Sequence, residues 1–385
     1  MLKVFIPKES EPGETRVAAT PETVKKLAAA KLAAAKLAVS IEAGAGERAT
    51  FSDAAYAAAG AQIEADRARG LADAGLVLKL HPPRDDSELP AAGAALVSFV
   101  YPHQRIDLVR RMAERRLTVF AMELIPRISR AQPMDALSSQ ANIAGYKAVV
   151  MAAERLGKLF PMLMTAAGTL KPARVVILGA GVAGLQAVAT ARRLGALVEV
   201  SDIRPAVKEQ VESLGAKFID VPVQENAQDQ GGYAKEASAE FKRAQEEALA
   251  RRVADADVVI CTALVPGRPA PKLLPASMVE RMRAGSVVVD LAADQGGNCE
   301  LTQPGATVNV RGVQIVGLRN VASLVPVHAS DVYAKNLLAF LKVVTLEGAL
   351  NVDLADEIVA GSLVTRNGQI VHAPTAALLA PVAAK

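Results

Sequence analysis

The sequence predicts an α/β protein with two doubly wound parallel sheets, in two domains joined by long helices with a cleft between them. Three observations support this fold class. The chain has 385 residues, of which 51% are hydrophobic, enough for two sizeable cores. Apolar strand-like runs alternate with helical patterns, and one glycine-rich turn joins a β-branched run to a helix. We expect one domain from residues 1–138 and 328–385 and a second from residues 139–327.

Composition and charge exclude several classes of protein. The formal net charge of +4 is spread along the chain without a basic block, which argues against nucleic-acid binding. The sequence has no run of the about 20 apolar residues that span a bilayer, so we expect no membrane insertion by this chain. Cys261 and Cys299 form no redox or metal-binding spacing. This predicts reduced packing residues, no metal site and a cytoplasmic setting.

The first 130 residues alternate predicted strands with predicted helices, which calls for a parallel sheet with helices on both faces. The strand candidates are Leu2–Ile6, Ala38–Glu42, Leu76–Leu80, Ala94–Val100 and Leu117–Ala121. The helical patterns are Pro21–Leu37, Asp53–Ala59 and Arg105–Arg115. The segment Lys25–Leu37 repeats strong helix formers, so we expect a solvated helix with its leucines facing the core.

A polar segment precedes a long helix that is predicted to carry the chain from the first domain into the second. Arg127, Arg130, Gln132 and Asp135 lie within nine residues, and the helical pattern runs on to about Leu156. These residues alone allow two interpretations. The segment is either a solvated loop before a helix with proline in its first turn, or a loop that binds a ligand.

The centre of the second domain is the strand–turn–helix segment Ala173–Asp202. Its turn, Gly179-Ala180-Gly181-Val182-Ala183-Gly184, follows the β-branched run Val175–Ile177. In this pattern the first glycine permits a tight turn, the second lets the backbone approach a pyrophosphate, and the third lets the helix pack on the strand. The helix N-terminus offers N–H groups and partial positive charge to the phosphates. The segment therefore predicts a Rossmann-like, dinucleotide-binding domain.

Asp202 indicates which dinucleotide binds. It lies 21 residues past Gly181, after a second apolar strand, where a carboxylate can accept hydrogen bonds from an adenosine ribose. A 2′-phosphate would be repelled there, so the sequence favours NAD(H) over NADP(H). A glycine turn alone can be purely structural. The flanking strands, the helix and the acid together favour an NAD site.

The second domain continues with four more strand candidates, giving the six that a dinucleotide-binding sheet needs. They are Lys217–Val221, Asp257–Thr262, Ser286–Leu291 and Gln314–Leu318. The polar insertion Pro222–Lys235 contains Gly231-Gly232-Tyr233, which we predict to be the tip of a lid. Residues 263–267 follow one strand, and Asp290 and Asp294 follow the next. Both groups are expected at the sheet edge where the ligand crevice forms.

Two local patterns close the chain. Ser330 is predicted to cap a helix, Asp331–Leu341, which can return to the first domain. Asn367-Gly368 can supply the positive-φ residues of a two-residue turn, which predicts a hairpin over residues 362–372.

Eight segments together resemble one family. They are Ile6–Glu9, Pro12–Pro21, Pro126–Val149, Thr165–Ala187, Lys208–Phe218, Gly231–Glu236, Thr262–Leu273 and Asp290–Glu300. The chain is similar to the NAD(H)-binding alpha subunits (domain I) of proton-translocating NAD(P) transhydrogenases, in the version encoded as a separate soluble polypeptide. The similarity covers nearly the full length, and Pro126–Val149 is its most specific portion.

The resemblance implies direct hydride transfer from NADH on this chain to NADP⁺ on the NADP(H)-binding domain of a beta subunit, coupled to proton movement through membrane-spanning subunits. It also implies a cytoplasmic homodimer, attached peripherally to the inner (plasma) membrane through those partners. Arg127 and Asp135 would hold the nicotinamide end and Gln132 would orient it, and these three are the predicted catalytic residues. The predicted NAD(H)-binding set further includes Ile128, Ser129, Ser138, Gly179, Gly181, Val182, Gly184, Asp202, Ile203, Arg204, Gly232, Tyr233, Thr262 and Leu264.

Two alternatives remain open from the sequence. Alanine dehydrogenase shares the ancestry and several motifs, and Arg16, Lys79 and Asp294 match three of its substrate-site residues. At the fourth, a histidine in that family, this chain has Tyr101, and His103 lies about 7 Å further along the strand. The acid/base group of that enzyme would therefore be missing. The other alternative is a non-catalytic NAD-sensing or assembly module, because an isolated subunit has no second nucleotide to reduce.

Overall fold

The computed structural model describes residues 2–29, 37–220, 238–265 and 268–379, with the backbone alone at residues 239–242. The chain forms two compact units: unit 1 contains residues 1–140 and 325–385, and unit 2 contains residues 141–324. Within the described ranges, no helix is long and apolar enough to cross a membrane.

The strands and helices are numbered in chain order. The strands are β1 (Lys3–Ile6), β2 (Ala38–Glu42), β3 (Gln62–Glu64), β4 (Leu76–Leu78), β5 (Ala95–Ser98), β6 (Thr118–Ala121), β7 (Leu163–Thr165), β8 (Gly168–Leu170), β9 (Arg174–Leu178), β10 (Leu197–Ser201), β11 (Lys217–Phe218), β12 (Val258–Cys261), β13 (Val287–Asp290), β14 (Thr307–Val310), β15 (Val313–Val316), β16 (Thr345–Leu346), β17 (Ala349–Leu350), β18 (Leu363–Arg366) and β19 (Gln369–Ile370). The helices are α1 (Pro21–Ala28), α2 (Asp53–Ala58), α3 (Arg67–Asp73), α4 (Ile106–Glu114), α5 (Ala136–Arg155), α6 (Val182–Arg193), α7 (Lys208–Ser213), α8 (Ala239–Ala254), α9 (Ala276–Val279), α10 (Pro326–Val344), α11 (Glu357–Ser362) and α12 (Ala373–Ala377).

Unit 1 is built on an eight-stranded sheet in the order β19-β18-β6-β5-β4-β1-β2-β3. Strands β1 to β6 pair in parallel, whereas β18 and β19 are antiparallel additions at one edge. Val4 and Ile6 on β1 belong to one buried cluster and Phe5 between them belongs to another. Because successive side chains of a strand point to opposite faces, this sheet has a core on each side.

The five strands predicted in this unit are present, with ends that differ by at most two residues. Strand β3 and helix α3 were not predicted. β3 has three residues, Gln-Ile-Glu, too few to show alternation, and α3 contains Gly70, which lowers helix propensity. Tertiary contact explains that glycine, because a Cβ there would lie 2.4 Å from the Phe5 ring. The predicted hairpin is confirmed: Asn367 and Gly368 have φ values of 52° and 86° between β18 and β19.

Two helix predictions in unit 1 were wrong. Helix α1 does not run continuously from Pro21 to Leu37, because Ala29 is extended and ends it, while residues 30–36 lie outside the described ranges. Helix propensity is a weak prior, and the last buried side chain of α1 is Leu27. Ser330 does not cap α10, which begins at Pro326, where a missing N–H costs nothing. The Ser330 hydroxyl instead accepts a hydrogen bond from the Val17 N–H at 3.0 Å.

Unit 2 is built on a seven-stranded sheet in the order β11-β10-β9-β12-β13-β15-β14. The first six strands are parallel, and their chain order across the sheet is 3-2-1-4-5-6, that of a dinucleotide-binding fold. The six predicted strands are thus present and the predicted fold class is confirmed. The antiparallel edge strand β14 was missed, because its sequence Thr-Val-Asn-Val is short and only partly buried.

Helix α5 packs closely on the glycine turn of unit 2. An ideal Cβ on Gly145 would lie 2.1 Å from the Ala183 carbonyl oxygen, at the start of α6. We expect Gly145→Ala to destabilise unit 2 by about 1–3 kcal/mol, because backbone must move to admit the methyl group. Thermal and urea unfolding would measure this. Gly157→Ala is the control, since no heavy atom of the described residues lies within 4 Å of its Cβ position. Equal stability of the two variants would contradict the close packing.

Candidate functional site

The polar segment before α5 forms a pocket of about 260 Å³ within unit 1. A short 3-10 helix, Ser129–Met134, makes one wall, and Ala131 and Met134 anchor it in the core. The Asn336 side chain on α10 adds a second anchor by donating to the Pro133 carbonyl at 2.8 Å. Five of the predicted site residues line the pocket, in the set Ile125, Pro126, Arg127, Ile128, Ser129, Ala131, Gln132 and Asp135. The wall is therefore rigid, while the Arg127 and Gln132 side chains are exposed to solvent.

Asp135 has a structural bond set at the start of α5. Its carboxylate accepts from the Ser138 N–H at 2.9 Å and from the Ser138 hydroxyl at 2.6 Å. An acidic residue at a helix N-terminus is favoured by the helix dipole and by the unpaired N–H groups. The predicted pair Asp135 and Ser138 is thus brought together. This capping also fixes the direction of Asp135 at the pocket.

The glycine turn of unit 2 places its three predicted glycines in three different environments. Gly179 has φ +102°, a conformation that suits glycine, and a Cβ there would meet the Thr262 hydroxyl at 2.7 Å. A Cβ on Gly184 would lie 1.9 Å from the Gly179 carbonyl oxygen. Gly181 has an ordinary φ of −76°, and no atom of the described chain lies within 4 Å of its Cβ position. The turn thus needs two glycines for its own packing and leaves open space at the third.

The remaining predicted residues of this edge lie around the turn. Thr262 donates to the carbonyls of Leu178 and Gly179 at 3.1 and 3.0 Å, so it holds the turn as well as facing it. Val182 begins α6 and Leu264 follows β12, and they are 39% and 41% exposed. Exposed apolar side chains at the carboxyl edge of a parallel sheet suit contact with a ligand. Gly232 and Tyr233, the predicted lid, lie outside the described residues.

Asp202 is the most heavily bonded predicted residue of the site. Its carboxylate accepts from the Ala180 N–H at 2.7 Å, which supports the glycine turn, and from the Arg204 N–H at 2.9 Å. The Arg204 guanidinium donates to both carboxylate oxygens, at 2.9 and 2.8 Å. This hydrogen bonding raises the pKa of Arg204 above its usual value. Ile203, between the two, is half-buried.

Two residues near the turn were missed or misjudged from the sequence. Asn298 is fully buried, accepts from the Ala263 N–H at 3.0 Å, and donates to the carbonyls of Ala263 and Pro271. It holds the loop after β12, and its position in a polar Gly-Gly-Asn run was the only signal. Asp290 is buried and accepts from Cys299 N–H and the Thr302 hydroxyl, which is a structural role.

The residues of unit 1 that match alanine dehydrogenase are each paired with a carboxylate. Arg16 donates to both oxygens of Glu14, at 2.8 and 2.6 Å, and to the Gln140 side chain at 2.6 Å. Burial by itself would raise the pKa of the Glu14 carboxyl, but hydrogen bonds from Arg16 and His81 hold that pKa far below its usual value. Lys79 is buried and pairs with Glu88 at 3.0 Å. The charge that would attract a small carboxylate substrate is therefore compensated within the protein.

Tyr101, the residue that takes the place of the histidine, sits in a strained turn. Its φ is +51°, and its N–H donates to the Glu123 carboxylate, which also accepts from the Val100 N–H at 3.0 Å. His103 is instead 5.9 Å from His372, measured between ring centroids. Burial raises the pKa of the Glu123 carboxyl to about 7, in spite of these backbone donors.

Glu123 predicts a pH dependence of stability. Because its folded-state pKa lies above the ordinary value of 4.5, its stabilising contribution is complete below about pH 4.5 and is lost as the pH rises through about 7. We expect Glu123→Gln to be more stable relative to the natural chain at pH 8 than at pH 5, by about 2–3 kcal/mol. Urea unfolding at both pH values measures the difference. Glu114→Gln, at an exposed site on α4, is the control. A constant difference between Glu123→Gln and the natural chain would contradict the raised pKa.

Comparison with known proteins gives a consistent set of similarities. Residues 5–144 match the model for the N-terminal domain of alanine dehydrogenase/PNT, and residues 148–373 match that for the C-terminal domain. A relative from Rhodospirillum rubrum, the first of the polypeptides that make up an NAD(P) transhydrogenase alpha subunit, is 48% identical over 96% of this chain and 98% of its own. The crystal structure of transhydrogenase from Sinorhizobium meliloti has a TM-score of 0.86 at 45% identity, covering 96% of this chain and 100% of that one. A structure of L-alanine dehydrogenase has a TM-score of 0.81 at 30% identity, covering 98% and 99%.

Proposed function

Because the chain belongs to the alanine dehydrogenase/PNT family, we propose that it is the NAD(H)-binding alpha subunit of a proton-translocating NAD(P) transhydrogenase. It is an oxidoreductase that passes hydride directly from NADH to NADP⁺ on a partner subunit, and the transfer is coupled to proton translocation. The observation that carries this function is the pocket in which Arg127, Gln132 and Asp135 converge. These groups can orient a carboxamide and a ribose by hydrogen bonds.

The residues of the glycine turn fit NAD(H). Gly181 leaves the open space that a pyrophosphate needs, and the N-terminus of α6 follows directly with its unpaired N–H groups. Asp202 at the end of β10 is placed for the adenosine ribose, with Thr262 and Leu264 on the adenine side. When bound, NADH supplies the hydride. The protein residues bind and orient it and exclude water.

The proposed catalysis is positioning alone, because hydride transfer between nicotinamides moves no solvent proton. Arg127 and Asp135 hold the nicotinamide end, and Gln132 orients it toward the nucleotide of the partner. Two reacting rings must approach to about 3–3.5 Å, so small displacements of an orienting residue have large effects on rate. The anchoring of Pro133 by Asn336 and the capping of α5 by Asp135 support such positioning.

Alanine dehydrogenase activity is disfavoured by the surroundings of Arg16 and Lys79. Glu14 and Glu88 compensate both charges, and Tyr101 takes the place of the acid/base histidine. A phenol is a much weaker acid than an imidazolium at neutral pH. L-Alanine with NAD⁺ is therefore expected to give no NADH with this chain alone, which absorbance at 340 nm would test.

The proposed assembly is a homodimer whose copies meet at the hairpin β7–β8. Its apolar side chains Met162, Leu163, Met164 and Leu170 are exposed by 45% to 76%. A two-stranded hairpin is only marginally stable by itself, and a patch of this kind marks an interaction surface. A second copy would cover the hairpin. We further place the assembly in the cytoplasm, attached to the membrane by the beta subunit and the membrane-spanning subunits.

Changing Met164 to aspartate should convert the dimer to a monomer. Met164 is 76% exposed, so a charge there costs the monomer little but would be desolvated in an interface. Sedimentation equilibrium at micromolar concentration gives the oligomeric state. Leu354→Asp, at another exposed apolar site, should leave the dimer intact. A dimeric Met164→Asp protein would remove the hairpin from the proposed interface.

A further inference from the structure

The carboxylate of Asp202 has its acceptor capacity filled by the protein. One oxygen accepts from the backbone N–H and the Nε of Arg204, both at 2.9 Å. The other accepts from the Ala180 N–H at 2.7 Å and from Nη2 of Arg204 at 2.8 Å. An ionised carboxylate offers about four lone-pair positions, so these four bonds occupy them all.

Arg204 is the member of this set whose position has a second chemical meaning. It lies three residues after the end of β10, where an arginine in a dinucleotide-binding fold can accept the 2′-phosphate of NADP(H). A guanidinium binds phosphate and carboxylate in the same two-pronged way, so the two anions compete for it. Both side chains of the pair are shielded, with 15% exposed for Arg204 and 6% for Asp202. The attraction between them is therefore weakly screened.

The next cation along the chain is less suited to that role. Lys208 pairs with Asp220 at 2.7 Å, and both side chains are exposed, 41% and 69%. Lys208 also begins α7, where its backbone is fixed by the helix. Arg204 is thus the charge nearest the proposed ribose position by sequence and by contact.

We propose that Asp202 selects NAD(H) in two ways: it accepts the ribose hydroxyls, and it sequesters Arg204, which would otherwise bind a 2′-phosphate. The proposal rests on the proposed function, in which β9, α6 and β10 hold the adenosine end of the dinucleotide. Charge repulsion by Asp202 is then only one component of the discrimination. The chain carries a latent NADP(H) site that its own carboxylate closes.

Substitution of Asp202 by asparagine isolates this effect. The amide oxygen can still accept from the Ala180 N–H, so the glycine turn keeps its support, but the charge that holds Arg204 is gone. Calorimetric titrations of NADH and NADPH would compare the natural chain with Asp202→Asn, Arg204→Gln and the double variant, each checked for folding by its thermal melt. We expect Asp202→Asn to bind NADPH at least tenfold more tightly than the natural chain does. The double variant should lose that gain, and Arg204→Gln alone should show none.

The controls separate this proposal from simple repulsion. The gain in NADPH affinity should shrink between 50 and 500 mM NaCl in Asp202→Asn, because it depends on one guanidinium–phosphate pair. An equal gain in Asp202→Asn with and without Arg204 would overturn sequestration and leave repulsion as the cause. No gain at all would also overturn it. Failure of the natural chain to bind NADH would instead overturn the proposed cofactor site itself.

Discussion

Shortening Gln132 to asparagine is expected to slow hydride transfer by roughly 100-fold while NADH affinity changes by no more than about twofold. The substitution keeps the amide but shortens its reach by about 1.5 Å, one carbon–carbon bond. The Gln132 side chain is exposed on a turn that Pro133 and its contact with Asn336 hold in place. The backbone therefore cannot follow the shortened side chain. An interaction made only in the reactive complex is lost from the rate and not from ground-state binding.

Stopped-flow transfer in the complex with the NADP(H)-binding partner, together with NADH titration of the isolated chain, separates these quantities. Gln104→Asn, an exposed glutamine elsewhere in unit 1, is the matched control and should behave as the natural chain does. A natural transfer rate in Gln132→Asn would remove Gln132 from the mechanism. Equal losses of rate and affinity would make it an ordinary binding residue.

Gly181→Ala should weaken NADH binding by roughly 10- to 100-fold without loss of stability. Gly181 has an ordinary φ, and the described residues leave the space around its Cβ position empty within 4 Å, so the free protein can accept alanine. The methyl group would stand where the pyrophosphate is proposed to approach the backbone. Folding and binding are therefore expected to separate at this position.

Gly184→Ala provides the comparison. A Cβ there would lie 1.9 Å from the Gly179 carbonyl oxygen, so the turn must deform and stability and affinity should fall together. Thermal melting and NADH titration of both variants give the four numbers required. Unchanged NADH affinity in a folded Gly181→Ala protein would place the pyrophosphate elsewhere.

The sequence predicted the parallel core of both sheets because buried parallel strands read as apolar runs. Val175–Ile177 and Val287–Val289 are examples, each buried in the structure. It missed β3 and β14, because an edge strand of three or four residues buries too little to show a pattern. It misplaced the start of α10, because Ser330 resembles a cap locally while its actual partner, the N–H of Val17, lies 313 residues away.

The site divides along the same line. The glycine turn and the acid at 202 are local in sequence and could be recognised from spacing. The pairing of Asp202 with Arg204 was not foreseen, because two residues of opposite charge at that spacing meet only if the backbone after β10 turns as it does here. The anchors Asn298 and Asn336 act on carbonyls distant in sequence. Their roles therefore depend on the complete fold.

The central claim is tested most directly by following the hydrogen itself. NADH carrying deuterium at the transferable C4 position would be mixed with this chain and the NADP(H)-binding partner domain loaded with NADP⁺, and the products examined by mass spectrometry and NMR. Direct transfer predicts deuterium at C4 of NADPH, without exchange with solvent and only when both proteins are present. NADH binding without transfer in that complex, or reduction of NAD⁺ by L-alanine with this chain alone, would contradict the proposed function.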